Sequence, residues 1–227
     1  MRVLKFGGSS VATPERILQI VAIAQKYTAD KIAFSIVFSA FGGLTDVLLR
    51  AGKQAAARDI SYKTALAEYA SRHRATAYTL VPNDAETIAQ VEEYIQNLSE
   101  ILHGIALLGE LSARSSDLVV SFGERGACLI IAAAFRANGI VAQFVDARDL
   151  VRTDANYGAA KVDIATTYQK IAADFSRTIT NIVTGFIGAT ADGVTTTLGR
   201  GGSDYTAALF AAALDAEVLE IDRKSVV

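Results

Sequence analysis

Four short stretches of this chain carry groups suited to handling anions. They are Lys5-Phe6-Gly7-Gly8-Ser9-Ser10, Val37-Phe38-Ser39-Ala40, Ser121-Phe122-Gly123-Glu124 and Gly199-Arg200-Gly201-Gly202-Ser203-Asp204. Lys5 lies in an apolar run, where an unpaired ammonium is costly, so it is expected to reach an anion. Gly7 and Gly8 let the backbone approach that anion closely, and Ser9 adds a hydroxyl. A helix N-terminus just beyond favours negative charge. Gly201, Gly202 and Ser203 build a second turn of this kind. Beside it, Arg200 can clasp a carboxylate with two parallel hydrogen bonds, and Asp204 falls in the first turn of the next helix. A Gly-Gly turn alone would read as a plain connection with a snorkelling lysine. Ser203 or Asp204 alone would read as a helix N-cap. Two glycine turns, one with a lysine and one with an arginine, favour a phosphate held next to a carboxylate. That is the equipment for phosphoryl transfer.

Other positions stay open on residue type alone. Glu124 can cap its helix, pair with Arg125, or accept a ligand's ammonium. Ser39 and Thr45 each read equally well as turn hydroxyls, and Arg152-Thr153-Asp154 as a turn. His73 and His103 have no carboxylate or cysteine constellation near them in sequence, so no metal site is expected. HExxH, CxxC, GxSxG and GxxxxGK[ST] motifs are absent, and no GxGxxG follows a strand. Metalloprotease, P-loop and dinucleotide redox chemistry therefore have no support.

The elements that must position these residues alternate. Short apolar strands are expected at residues 2–6, 32–38, 118–122, 140–145, 181–187, 194–198 and 217–221. Helices are expected from Thr13-Pro14 (an N-cap followed by proline at the first helical position), over 44–57, 125–137, 161–175 and 203–214. Residues 61–110 read as a helical excursion split at Pro82-Asn83-Asp84, a lid or an oligomer surface. The pattern predicts a three-layer α/β/α sandwich with a largely parallel central sheet. All four motifs then fall at the carboxyl ends of strands, where such sheets bind ligands.

Composition narrows the setting. The chain has 227 residues, 51% of them hydrophobic, and a formal net charge of -2. That suits one large domain with a real core and gives no basic patch for nucleic acid. Cys128 is the single cysteine, set in an apolar stretch, so it reads as a buried small hydrophobe. No signal peptide precedes the first strand, and no segment approaches the ~20 apolar residues of a membrane span. A cytoplasmic protein is expected.

In this order, these residues resemble the amino acid kinase family, and within it the aspartate kinases. Lys-Phe-Gly-Gly-Ser-Ser at 5–10 is similar to their opening signature. So are Leu111-Ser112-Ala113-Arg114 with Asp117-Leu118-Val119-Val120-Ser121-Phe122-Gly123-Glu124, and Leu198 through Ala207. The resemblance runs over residues 1–221. It implies phosphorylation of the L-aspartate side chain by ATP with Mg2+, giving 4-phospho-L-aspartate on the way to lysine, threonine and methionine. It implies that Lys5 stabilises the transferring phosphoryl group, and that Gly7, Gly8, Ser9, Gly201 and Gly202 surround the phosphates. Ser39, Thr45, Glu124, Arg200 and Ser203 would hold the amino acid, with Glu124 facing its ammonium and Arg200 its α-carboxylate. Asp204 would orient Lys5. Residues 222–227 depart from the family pattern and are expected to be a non-native tail on a truncated kinase domain. Weak ATP binding, low turnover and homo-oligomerisation through the last strand or the excursion are expected with it. The alternatives are a related kinase acting on glutamate, acetylglutamate or a nucleotide, and a non-catalytic piece that binds aspartate or a partner chain.

Overall fold

The computed structural model describes residues 1–176 and 178–222. Its central sheet contains β1 (Arg2–Phe6), β2 (Phe34–Phe38), β3 (Ala142–Val145), β4 (Thr180–Thr184) and β7 (Val218–Ile221), ordered β3-β4-β2-β1-β7. Every pairing in it is parallel, with Lys5 beside Val37 on one side and Ile221 on the other. β2 and β4, in the middle of the sheet, are buried along their whole length on both faces. Alternation sorts the side chains of the strands. Leu4, Ile36, Phe38 and Ile182 join one core cluster, while Val3, Val37 and Val183 join the other. Lys5 shares the face of Val3.

The first face is covered by α1 (Pro14–Ala29) and α5 (Ala113–Ala137), with α2 (Leu44–Ala56), α3 (Tyr62–Leu80) and α4 (Ala85–Leu108) packed outside α5. The second carries α6 (Ala147–Leu150), α7 (Ile164–Asp174) and α8 (Gly202–Ala213). A two-stranded antiparallel ribbon, β5 (Ile187–Ala189) with β6 (Thr195–Thr197), stands beside the main sheet. This is the α/β/α sandwich expected. Thr13 caps α1 by accepting a bond from the Arg16 N–H, and Asp84 caps α4 through the Thr87 N–H. The excursion divides at Pro82-Asn83-Asp84 as the sequence predicts.

Four expectations need correction. Residues 118–122 are not a strand: α5 runs unbroken through them from its N-cap, Ser112. The helix lies between the sheet and α2–α4 and is buried nearly all round, so its middle has no polar stripe to reveal a helical period. Hence Ser121-Phe122-Gly123-Glu124 sits inside a helix, not at a strand end. By length and composition α5 could cross a membrane, contrary to the reading that no segment comes close, but most of it is buried inside the protein. Residues 181–187 are also two strands. Gly185 donates to the Phe38 carbonyl at 2.8 Å, then Phe186 takes φ +70° and the chain leaves the main sheet for the ribbon. The helix expected from 161 begins at Ile164, because Val162 bridges to Thr153 and Asp163 is the N-cap.

Close packing around α5 depends on its glycines. A Cβ at Gly126 would lie 2.7 Å from Nε2 of His73 and 2.8 Å from the Tyr69 hydroxyl oxygen. Gly126→Ala is expected to destabilise the protein by about 1–3 kcal/mol in urea unfolding. Gly104, in α4, has no neighbour within 4 Å of that position. Gly104→Ala is expected to stabilise by about 0.5–1 kcal/mol. Equal effects of the two substitutions would contradict this packing.

Candidate active site

A cavity of about 520 Å³ opens at the carboxyl ends of β1 and β2, between α5 and the N-terminus of α8. The glycine turn before α8 shapes it. Gly199 and Gly201 have φ of +75° and +77°, and α8 starts from Gly201 with no side-chain cap. Ser203 and Asp204 are therefore not capping residues, and their side chains serve the cavity. A Cβ at Gly202 would lie 2.8 Å from the Phe186 ring, so the turn needs glycine there too.

Lys5 projects into this cavity from the end of β1. Its ammonium pairs with Asp204 Oδ1 at 2.7 Å, and its side chain is only 12% exposed. Ser39, after β2, meets Ser203 with 3.0 Å between hydroxyl oxygens. Thr45, Arg200, Gly201 and Gly202 also line the space. Arg200 is exposed, with its guanidinium unpaired among the described residues. Gly7, Gly8 and Ser9 stand behind the cavity and do not line it. Gly8 packs against the Ala40 carbonyl, where a Cβ would come within 2.8 Å. The Ser9 carbonyl accepts a short bond from the Arg16 guanidinium.

Glu124 reaches the cavity from the middle of α5. It is 2% exposed, and its Oε1 accepts one bond, from the Ala40 N–H at 3.2 Å. Oε2 has no hydrogen-bond partner among the described residues. Burial pushes this carboxyl from 4.5 up to about 8, against a smaller downward pull from the Ala40 N–H. An acid held this way is built to lose its proton when a cation arrives.

Sequence reasoning gave no role to Asp117, which also lines the cavity. It is buried, and its oxygens accept bonds from the Thr197 N–H (2.9 Å), the Thr197 hydroxyl (2.8 Å) and the Gly158 N–H (2.9 Å). A carboxylate at the head of an apolar run was the available signal, but reading that run as a strand hid it. Phe186 was missed as well, because nothing in its type announces a left-handed backbone. His73 is a buried structural histidine: its Nδ1 lies 2.9 Å from the Tyr69 carbonyl, and burial lowers it to about 4. Cys128 is buried against the Val183 carbonyl, as a small core residue. Among the described residues, no three His, Cys, Asp or Glu side chains converge as a metal cage.

A parallel sheet with a lysine–carboxylate pair and a glycine turn at its strand ends defines an α/β fold with a polar cavity where its strands end. The amino acid kinase family model matches residues 1–222, and the chain belongs to that family. It is 33% identical to bifunctional aspartokinase/homoserine dehydrogenase 1 of Arabidopsis thaliana, a chloroplastic protein, over 96% of this chain and 24% of that one. It is 33% identical to Arabidopsis thaliana aspartokinase 3, also chloroplastic, over 96% of this chain and 40% of the relative. The crystal structure of E. coli aspartokinase III in complex with aspartate and ADP superposes with a TM-score of 0.88 at 31% identity, covering 97% of this chain and 48% of that one. The chain thus spans about a quarter to a half of the length of these relatives.

The raised pKa of Glu124 sets a sign for stability. Between pH 4.5 and about 8 the folded protein holds a proton that the unfolded chain has released. The stability tied to that proton is complete below 4.5 and is lost as pH rises to about 8. Glu124→Gln mimics the protonated form and lacks the slope. Its melting-temperature advantage over wild type is expected to widen from about pH 5 to about pH 8 and then level off. A constant difference across that range would contradict a buried, protonated Glu124.

Proposed function

We propose that the cavity binds L-aspartate beside the terminal phosphate of ATP, and that the protein phosphorylates the aspartate side chain. The observation that carries this reading is the buried, single-bonded Glu124 sharing one cavity with Arg200 and the Lys5–Asp204 pair. Glu124 receives the ammonium, and Arg200 receives the α-carboxylate in a two-pronged contact. Ser39, Thr45 and Ser203 supply hydroxyls around the backbone of the amino acid. The side-chain carboxylate is left facing Lys5.

No general base is required, because a carboxylate of pKa ~3.9 is already ionised at neutral pH. A carboxylate oxygen bonds to the γ-phosphorus as the bond to the β–γ bridging oxygen breaks, giving an acyl phosphate and ADP. Charge builds on the oxygens between two anions, and Lys5 neutralises it while Asp204 fixes the ammonium in place. Gly7, Gly8 and Ser9 support the phosphate side from behind Lys5, and Gly201 offers its N–H at the head of α8, where the Gly202 N–H already donates to the Gly199 carbonyl at 3.0 Å. Magnesium, when bound with the nucleotide, supplies further neutralisation of the phosphates.

Further parts of the reading are proposals of the same standing. The product would feed lysine, threonine and methionine formation, in a reducing compartment such as the cytoplasm, which suits the unpaired Cys128. A homo-oligomer would join through β7, an edge strand among the described residues, or through the helices of 61–110; a monomer mass at all concentrations in light scattering contradicts that. The cavity groups suited to an amino acid, Glu124 and Arg200, favour one second reading, a chain that binds aspartate without turnover. Turnover by this chain removes it.

Calorimetry with L-aspartate, L-glutamate and Mg-ATP tests the assignment. Saturable binding of L-aspartate and not L-glutamate is expected, and binding of neither amino acid would sink it. Lys5→Ala is expected to leave aspartate affinity within about threefold while lowering turnover by orders of magnitude, on the scale of an oxyanion-stabilising group at ~10²–10³. Wild-type turnover in Lys5→Ala would refute the role of Lys5.

A further inference from the structure

Asp117 and Glu124 are seven residues apart on one helix. That is 20° short of two full turns and about 10.5 Å along the axis, so both carboxyl groups point to the cavity side of α5. Both are nearly inaccessible, at 3% and 2% exposure, yet their surroundings are opposite. Glu124 accepts a single bond and leaves Oε2 open. Asp117 is committed: Oδ1 takes the Thr197 hydroxyl, and Oδ2 takes the N–H groups of Thr197 and Gly158.

The donors of those bonds matter. Thr197 is the last residue of β6, two before the Gly199 turn that carries Arg200, Ser203 and Asp204. Gly158 belongs to the loop between α6 and α7, and its carbonyl lies 3.3 Å from where a Cβ on Gly199 would be. The ribbon itself is short, with three residues in each strand, and the main sheet does not include it. The Thr197 hydrogen bonds to Asp117 therefore tie the end of the ribbon directly to α5. Bonds from Ala160 N–H to the Thr197 carbonyl (2.9 Å) and from Leu198 N–H to the Phe186 carbonyl (2.9 Å) complete the frame of the turn.

We propose that Asp117 is a positioning residue: its buried carboxylate clips the Gly158 loop and the end of β6 to α5, and so sets the spacing between Arg200 and Glu124 that a bound amino acid must span. The proposal rests on the aspartate-binding reading above. It assigns the two helix carboxylates different work. Glu124 meets the ligand, and Asp117 holds the opposite wall of the cavity at the right distance from it. A buried carboxylate that loses one of several donors leaves an unsatisfied polar atom, so a clip of this kind has few intermediate positions.

Two measurements on the full chain test it. The first is amide hydrogen exchange of Asp117→Asn against wild type without ligand, since an amide at this position sets a donor against donors. Faster exchange is expected over residues 156–160 and 196–204, with unchanged protection in β1, β2 and β4. Uniform loss of protection would indicate a merely structural role, and unchanged exchange in the two segments would remove the clip; either overturns the proposal. The second is titration with L-aspartate and with succinate, which keeps both carboxylates and lacks the ammonium. Asp117→Asn is expected to weaken both by tenfold or more and to keep their ratio, whereas Glu124→Gln lowers the preference for L-aspartate. Thr197→Ser, which retains the hydroxyl, is expected to bind as wild type, and Thr197→Val to lie between. Asp117→Asn within twofold of wild type for both ligands overturns the proposal while leaving the aspartate reading intact. A wild-type chain that binds neither ligand overturns both.

Discussion

The arrangement depends on the burial of one helix. α5 has seventeen buried residues in its twenty-five, from Asp117 to Phe135, and sits between the sheet and the α2–α4 layer. A helix without a solvent face cannot rotate or slide without exposing apolar surface on one side and burying charge on the other. Its glycines let the neighbours come close, Ala40 against Gly123 and the Tyr69–His73 pair against Gly126. Whatever α5 carries is thereby held in place. It carries two carboxyl groups that are only 3% and 2% exposed, Asp117 and Glu124.

From that constraint follows a division of charge across the cavity. The cation at the end of β1 is neutralised at once by Asp204 on α8, 2.7 Å away. The acid on α5 is not neutralised at all, and burial answers by keeping its proton. Arg200 stands exposed at the rim. The cavity thus holds one closed ion pair and one protonated acid, with Asp117 bonded to backbone and hydroxyl donors and Arg200 at the rim. On the proposed reading, a ligand with an ammonium and two carboxylates would change both, displacing a proton at one end and bringing new anions towards Lys5 and Arg200. The preorganised parts are the ones in which strain or close approach is visible, Phe186 in the left-handed region and the glycine turn before α8.

Local chemistry made much of this legible in the sequence. Lys5, the glycine turns, Arg200 and Asp204 announce themselves by type and spacing, because a charged residue in an apolar run and clustered glycines are costly to a fold that makes no use of them. Apolar continuity gave the parallel strands, and Thr13-Pro14 and Pro82-Asn83-Asp84 marked helix ends where they fall. The largest miss has one physical origin. A segment buried on all sides loses the periodicity that distinguishes helix from strand, so the middle of α5 read as a strand and Glu124 was placed at a strand end. With it went Asp117, whose partners lie 41 and 80 residues away in sequence. Likewise, no residue type marks the point where the β4 run leaves one sheet for another. Membership of the amino acid kinase family, by contrast, rests on motifs that did not need the secondary structure to be right.

The central claim is that Glu124 surrenders its proton to accommodate a substrate ammonium. The most direct measurement is the proton count on binding L-aspartate, from calorimetric titrations at pH 7 in buffers of different ionisation enthalpy. The account predicts release of about one proton per aspartate bound at pH 7, falling towards none well above the Glu124 value of about 8. Saturable binding with no proton released at pH 7 would contradict it.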